Sequence, residues 1–245
     1  MTTDFTDASP TDSTYPDARR ADLPAAVLWD LDGTLIDSEP YWIAAETELA
    51  LKFGVTWTHE DGLTLVGKPL PASAALLRGR GVDMDVTDIV DFLIARVAEQ
   101  VRRHVPWQSD ARLLLEQTLA AGIPCALVTM SYAVLAEAAT QSVPDAFSVV
   151  VSGDEVTNGK PHPESYLLAA QRLGVDIEDC VAIEDSPSGI GAAYASGART
   201  IAVKRLTPVE PLPGLTRVTS LDRLGIDGLR DVAAGTVIDE LGSGV

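Results

Sequence analysis

Cysteine is nearly absent: Cys125 and Cys180 are the only two in 245 residues, and both lie inside apolar, strand-like runs. They read as reduced core thiols rather than as a disulfide framework or a metal pair. No apolar run approaches the length that crosses a bilayer. The opening residues lack the basic and apolar regions of a secretory signal, so the expected location is cytoplasmic. Positive charge is also scarce. The 18 lysines and arginines face 36 aspartates and glutamates, a formal net charge of −18. Such a field repels nucleic acid and anionic membrane, so neither is an expected partner. It would repel a phosphate ester too, unless a metal ion or a local lysine reverses the sign inside a site. With 46% hydrophobic residues, the chain reads as soluble and globular, with room for one large core or two modest domains. A monomer is the default expectation.

Residues 1–22 (MTTDFTDASPTDSTYPDARRAD) are rich in Thr, Asp, Ser and Pro and carry no periodic apolar face. They predict a disordered tail. A weakly packed tail is expected at the other end, from about Ala234 to Val245. Between these ends, strand candidates stand at Val27–Asp30, Pro124–Thr129, Phe147–Val151, Cys180–Glu184, Thr200–Val203 and Arg217–Val218. Their near-continuous apolar character suits parallel strands buried on both faces. Helices are predicted from Ser109-Asp110 to Gly122, from Pro163-Glu164 to Gly174, and from Pro187 to Gly197, each with start and stop signals. The alternation implies right-handed βαβ units and a doubly wound, Rossmann-like parallel sheet of the α/β class. The chemistry of such sheets gathers at the carboxyl ends of the strands.

Residues 38–105 break the alternation with helices and no convincing strand. Pro40 sits in a first helical turn that Gly54 later closes, and a second helix covers roughly Ala72–Arg78. Ile89, Leu93, Val97 and Val101 draw one apolar stripe at spacing four. The expected organisation is a catalytic core of residues 23–37 and 106–233, with an all-helical cap domain of 38–105 inserted after the first strand. A cap there would sit over that strand's carboxyl end as a lid.

That strand end carries the most informative stretch, Val27-Leu28-Trp29-Asp30-Leu31-Asp32-Gly33-Thr34-Leu35. If the strand ran on, its period of two would put Asp30 and Asp32 on one side. Two neighbouring carboxylates need a cation or a shared proton, because like charges resist joint ionisation. One carboxylate can attack phosphorus while a second handles the leaving-group proton. Later strand ends add useful groups. Thr129-Met130-Ser131 offers hydroxyls and free N–H groups that suit a phosphate oxygen, or a plain helix N-cap. In Asn158-Gly159-Lys160-Pro161-His162-Pro163 a rigid turn fixes the direction of Lys160, while His162 reads as a turn residue. Glu184-Asp185-Ser186 ends an apolar strand, where adjacent acids are costly unless paired or metal-bound. Four carboxylates (Asp30, Asp32, Glu184, Asp185) and one lysine thus converge on one sheet edge. All-oxygen ligands favour a hard cation, ordinarily Mg²⁺ beside phosphate.

These four segments, in this order, resemble the haloacid dehalogenase-like superfamily, in its helical-cap branch of phosphotransferases. The resemblance spans about residues 24–232. It implies that Asp30 is the nucleophile that takes the phosphoryl group. Asp32 is implied as general acid and then base, with its backbone carbonyl on Mg²⁺. By the same resemblance Thr129 binds a phosphate oxygen and Lys160 neutralises Asp30 and the phosphoryl group. Asp185 holds Mg²⁺, with Glu184 as a further ligand, direct or through water. Leu31, Met130, Ser131, Trp42, Gly67 and Lys68 are the expected substrate contacts, the last two in a cap loop. Within the branch, Asp37-Ser38-Glu39-Pro40-Tyr41-Trp42 resembles the segment of hexose-phosphate phosphatases. β-Phosphoglucomutases instead carry a histidine at the position of Trp42 and an arginine near Leu70. The expected activity is therefore hydrolysis of a small phosphorylated metabolite, with a phosphomutase as the alternative. A non-catalytic phospho-ligand-binding module is the alternative of another class; loss of the nucleophile or the lysine would signal it, and both are present.

Overall fold

Residues 22–242 are described by a computed structural model. The tail expected at 1–22 therefore lies, except for Asp22, outside the described residues, as do residues 243–245. Among the described residues six short strands form one sheet: β1 (Ala26–Trp29), β2 (Cys125–Val128), β3 (Val149–Val151), β4 (Cys180–Glu184), β5 (Arg199–Val203) and β6 (Thr216–Val218). All pairings are parallel, in the order β3-β2-β1-β4-β5-β6. The chain builds outward from β1 on one side, then crosses back and builds outward on the other. The reversal falls between β1 and β4, which is where an open α/β sheet forms its crevice.

Both faces of the sheet are covered, which explains the near-continuous apolar strands. On one face Val27, Trp29, Leu127, Val181 and Ile183 meet helices α5 (Ser109–Ala120), α6 (Ala133–Thr140) and α9 (Gly225–Ala233). On the other, Ala26, Leu28, Ala126 and Ala182 meet α7 (Glu164–Leu173) and α8 (Pro187–Ser196). The start signals at Ser109 and Pro187 and the glycine stops at Gly174 and Gly197 act where the sequence placed them. Among the described residues no helix is long and apolar enough to cross a membrane.

Between β1 and β2 the chain forms α1 (Glu39–Lys52), α2 (His59–Leu63), α3 (Leu70–Gly79) and α4 (Val86–Arg103). The predicted stripe Ile89, Leu93, Val97 and Val101 is buried along α4, which packs on α1 and α3 and reaches α6 of the sheet layer. Two paired segments join this insertion to the sheet. Asp37 N–H donates to the Pro106 carbonyl (2.8 Å) and Gln108 N–H to the Leu35 carbonyl (2.9 Å).

The sequence patterns gave no sign of two helices, α2 and α9, and marked a third, α6, only by the N-cap reading of Thr129 or Ser131. Helix α6 is alanine-rich, with no capping side chain, and so shows no period. Helix α9 also starts without a side-chain cap, and α2 is only five residues long. A further correction concerns the C-terminal stretch expected to pack weakly from Ala234. Arg217 N–H donates to the Ile238 carbonyl, and Glu240 N–H returns to the Arg217 carbonyl, both at 2.8 Å. The buried Arg217 guanidinium binds Asp239 (2.7 Å) and the carbonyls of Val209 (3.1 Å) and Gly242 (2.7 Å). One buried arginine thus ties residues 238–242 along β6. Hydrogen bonds to a charged group contribute about 1.5–3 kcal/mol each when one partner is removed. Arg217→Met is expected to cost about 2–3 kcal/mol, lowering the melting temperature by roughly 5–10 °C. Limited proteolysis should then cut first beyond Ala234; an unchanged melt and cleavage pattern would contradict this account.

Candidate active site

At the reversal between β1 and β4 the Lys160 ammonium is enclosed by oxygen. Its Nζ donates to Asp30 Oδ1 (2.7 Å), Glu184 Oε1 (2.5 Å) and the Val128 carbonyl (3.0 Å). Three strand ends, β1, β2 and β4, thereby hold one lysine that arrives from the Asn158–Pro163 turn. Burial pulls the ammonium toward losing its proton, but Asp30 and Glu184 outweigh that and hold its pKa above the ordinary value. Glu184 is itself saturated. Its Oε1 also accepts from the Tyr166 hydroxyl (3.0 Å), and Oε2 accepts from the N–H groups of Asp185 (3.0 Å) and Ser186 (3.2 Å). The first turn of α8 presses against this carboxylate. A Cβ at Gly189 would fall 1.7 Å from Oε1, so no larger residue fits there.

Asp185 lies beside Gly33, whose φ of +88° and missing side chain make the approach possible; a Cβ there would sit 2.3 Å from Asp185 Oδ2. Thr34 Oγ1 donates to Asp185 Oδ1 at 3.0 Å. The carboxylates of Asp30, Glu184 and Asp185 gather within 4.8 Å of one another, all buried. Three acids against one lysine leave an excess of negative charge. Burial first, then Glu184, raises Asp30 well above the usual carboxylate range and pushes Asp185 up to about 7. The cluster is therefore short of positive charge, and its oxygen donors match a hard divalent cation. The residues fit the metal that the sequence led us to expect.

Asp32 turns elsewhere. The strand ends at Trp29, so the period of two does not extend to the second aspartate. Its carboxylate accepts from Ser38 Oγ (2.5 Å), Trp42 Nε1 (3.3 Å), Ser131 Oγ (2.7 Å) and Thr129 Oγ1 (3.4 Å). Four donors fix its orientation, and they come from both the core and α1. Asp32 shares no side-chain contact with the acidic cluster, so only its backbone could serve a metal there. Thr129 and Ser131, expected on phosphate, spend their hydroxyls on Asp32 in this state. Asp30 and Asp32 nevertheless line one cavity of about 430 Å³, together with Thr129, Met130, Ser131, Lys160 and Asp185.

The insertion closes the far wall of that cavity. Trp42, Gly67 and Lys68 line it, as expected, and Leu70 does too. Leu31 is not among the lining residues, and its side chain is buried in the apolar core. Among the cavity residues that were not anticipated are two acids, Glu39 and Glu46 on α1. Burial and the nearby Asp32 push Glu39 up to about 7, and burial does the same to Glu46 against an opposing bond from Trp57 Nε1 (3.3 Å). Their spacing of seven around Trp42 was visible in the sequence, but nothing there said which face of α1 would meet the site.

A parallel sheet with carboxylates and a buried lysine at its reversal point fits the phosphoryl-transferring class of α/β enzymes. Residues 27–203 match the haloacid dehalogenase-like hydrolases, and the chain belongs to that family as a phosphoric monoester hydrolase. It is 32% identical over 225 residues to hexitol phosphatase B of Escherichia coli K12, covering 82% of this chain and 96% of that one. It is 32% identical over 188 residues to the bifunctional riboflavin kinase/FMN phosphatase of Arabidopsis thaliana, covering 75% of this chain and 49% of that longer relative. Among solved structures, CbbY from Rhodobacter sphaeroides in complex with phosphate is similar with a TM-score of 0.76 and 27% identity, over 84% of this chain and 99% of that one.

The raised value of Glu46 has a thermal consequence. A carboxyl whose pKa rises from 4.5 to about 7 on folding costs nothing below the unfolded value. Its penalty grows as pH climbs from there to about 7 and is complete above that. Glu46→Gln keeps an acceptor for Trp57 and removes the charge. The stability of this variant relative to wild type should rise by about 1–3 kcal/mol between pH 4 and pH 8. Thermal melts at both pH values check it, and a difference independent of pH would refute the burial argument.

Proposed function

We propose that the protein is a magnesium-dependent sugar-phosphate phosphatase that works through a phosphoaspartate on Asp30. The contact between Lys160 and Asp30 carries this reading. It aims a carboxylate at the cavity and supplies a fixed positive charge where a phosphoryl group would arrive. Phosphoryl transfer is mostly positioning and charge stabilisation, so this pairing is the main requirement. Asp30 attacks phosphorus through a carboxylate oxygen, and Lys160 offsets charge on the transferred group. Asp32 gives a proton to the departing sugar oxygen, then takes one from the water that cleaves the phosphoaspartate. Thr129 and Ser131 turn their hydroxyls from Asp32 to phosphate oxygens when substrate enters.

Asp30, Asp185 and the backbone carbonyl of Asp32 would hold magnesium, which when bound supplies positive charge against the phosphoryl oxygens. Glu184 has its oxygens taken by Lys160, Tyr166 and two backbone N–H groups. Its part is to hold Lys160 and the start of α8. The 38–105 insertion acts as a cap that excludes bulk water, with its two paired joining segments as the stem.

Two cap residues favour phosphatase over mutase. Trp42 donates its indole N–H to Asp32 but is a donor only and cannot take up and return a proton, so it cannot delay water as a histidine would. Leu70, lining the cavity, offers nothing to a second phosphate. The sugar-phosphate assignment is supported by the similarity to hexitol phosphatase B.

Asp30→Asn should reduce kcat by about 10³-fold or more with the fold intact, because an amide is too weak a nucleophile for phosphorus. A variant retaining a tenth of the wild-type kcat would remove Asp30 from this role. Protein freed of metal, verified by elemental analysis, should be inactive on p-nitrophenyl phosphate until magnesium is restored. Incubation with β-glucose 1-phosphate and a trace of glucose 1,6-bisphosphate should release inorganic phosphate. Stoichiometric conversion to glucose 6-phosphate with little phosphate release would establish the mutase instead.

A further inference from the structure

Helix α1 lays three cavity residues along one face. Glu39, Trp42 and Glu46 follow one another at spacings of three and four, spanning about 10 Å along the axis. The lower end is tied to the chemistry, since Trp42 and Ser38 both donate to Asp32. The upper end is built from behind. Trp57 Nε1 donates to Glu46 Oε2, and a Cβ at Gly62 would already lie 3.2 Å from that oxygen. Glu46 is only 4% exposed, and its Oε1 has no hydrogen-bond donor among the described residues. Glu39 also has no side-chain partner among them. Both carboxylates line the cavity with oxygens that no protein donor occupies, so they suit hydroxyl donors brought by a ligand. The cap side of the cavity sets against them one cation, Lys68, which is exposed.

We propose that Glu39 and Glu46 read the hydroxyl groups of the substrate's alcohol portion, selecting an uncharged polyhydroxylated monophosphate and rejecting compounds with a second phosphate or a carboxylate. The reading rests on the phosphatase assignment and specifies its substrate class. Hydroxyls donate to both carboxylates, whereas a second anion would be buried between them with one exposed lysine to offset it. An alcohol lacking hydroxyls would leave both acids without donors, the situation in which a polar site discriminates most strongly. The upward pull of burial on both groups fits this, because hydroxyl donors would relieve it.

The test is a panel of kcat/KM values in magnesium: sorbitol 6-phosphate, hexyl phosphate, sorbitol 1,6-bisphosphate, phosphoglycolate and p-nitrophenyl phosphate. Wild type should prefer sorbitol 6-phosphate over hexyl phosphate, the bisphosphate and phosphoglycolate by roughly 100-fold or more. Glu46→Gln and, at the less buried position, Glu39→Gln should each lower the preference for sorbitol 6-phosphate over the bisphosphate by roughly 10-fold, mainly through KM. A wild type that takes hexyl phosphate as readily as sorbitol 6-phosphate overturns the proposal. So do two folded variants whose preference stays within about threefold of wild type. Wild type silent on every compound, p-nitrophenyl phosphate included, would instead overturn the phosphatase reading and this proposal with it.

Discussion

The ion cluster at Lys160 is the constraint on which the rest of the molecule depends. A lysine this buried is tolerable only with several oxygen partners, and here they come from three different strands. Each partner is in turn held: Glu184 by Tyr166 and the first turn of α8, Asp30 by its place directly after β1. Removing one charge from such a group strands the others in a low dielectric, which costs far more than a surface pair. The register of β1 against β2 and β4 is therefore tied to the chemistry. A one-residue slip would take Asp30 away from Lys160 and turn the apolar side chains to the wrong faces.

The surplus of acid over base has opposite meanings in two parts of the cavity. At the strand ends, Asp30, Glu184 and Asp185 crowd together and are short of a cation. On the cap wall, Glu39 and Glu46 stand apart on one helix, with oxygens that lack donors rather than a counter-ion. The first arrangement suits a divalent metal beside a phosphoryl group, the second a neutral alcohol with hydroxyls to give. Asp32 stands between them, oriented by donors from both the core and α1, so that the group we propose to handle protons is set by both.

What separates the close functional readings is small in structural terms. The same sheet and the same carboxylates serve phosphatase and mutase alike, and the distinction rests on α1 and the loop before α3. An indole at position 42 fills space and donates one hydrogen bond without accepting a proton. A leucine at position 70 presents no charge. These are differences in what the cap can do with water and with a second phosphate, not in the attack on phosphorus.

The sequence by itself determined the sheet and the residues at its edge. Apolar runs of strand length ending in Asp30, Thr129 and Glu184-Asp185 specify parallel strands, because only strands covered on both faces are apolar throughout. Parallel strands in turn bring their carboxyl ends together. Glycine and proline punctuation located α5, α7 and α8, where φ and capping are local properties. Helices α6 and α9 were faint or hidden because alanine-rich or uncapped segments carry little local signal and are helical through what they pack on. Only the tertiary structure decided where side chains point once the chain leaves a strand. It sent Asp32 to Trp42 and Ser131, closed Glu184 against Lys160 and Tyr166, drew Leu31 into the core, and tied the C-terminal stretch to Arg217. It also turned Glu39 and Glu46 into the cavity. These outcomes depend on partners 10 to 99 residues away or on the rotation of one helix about its axis, and neither is a local property of the chain.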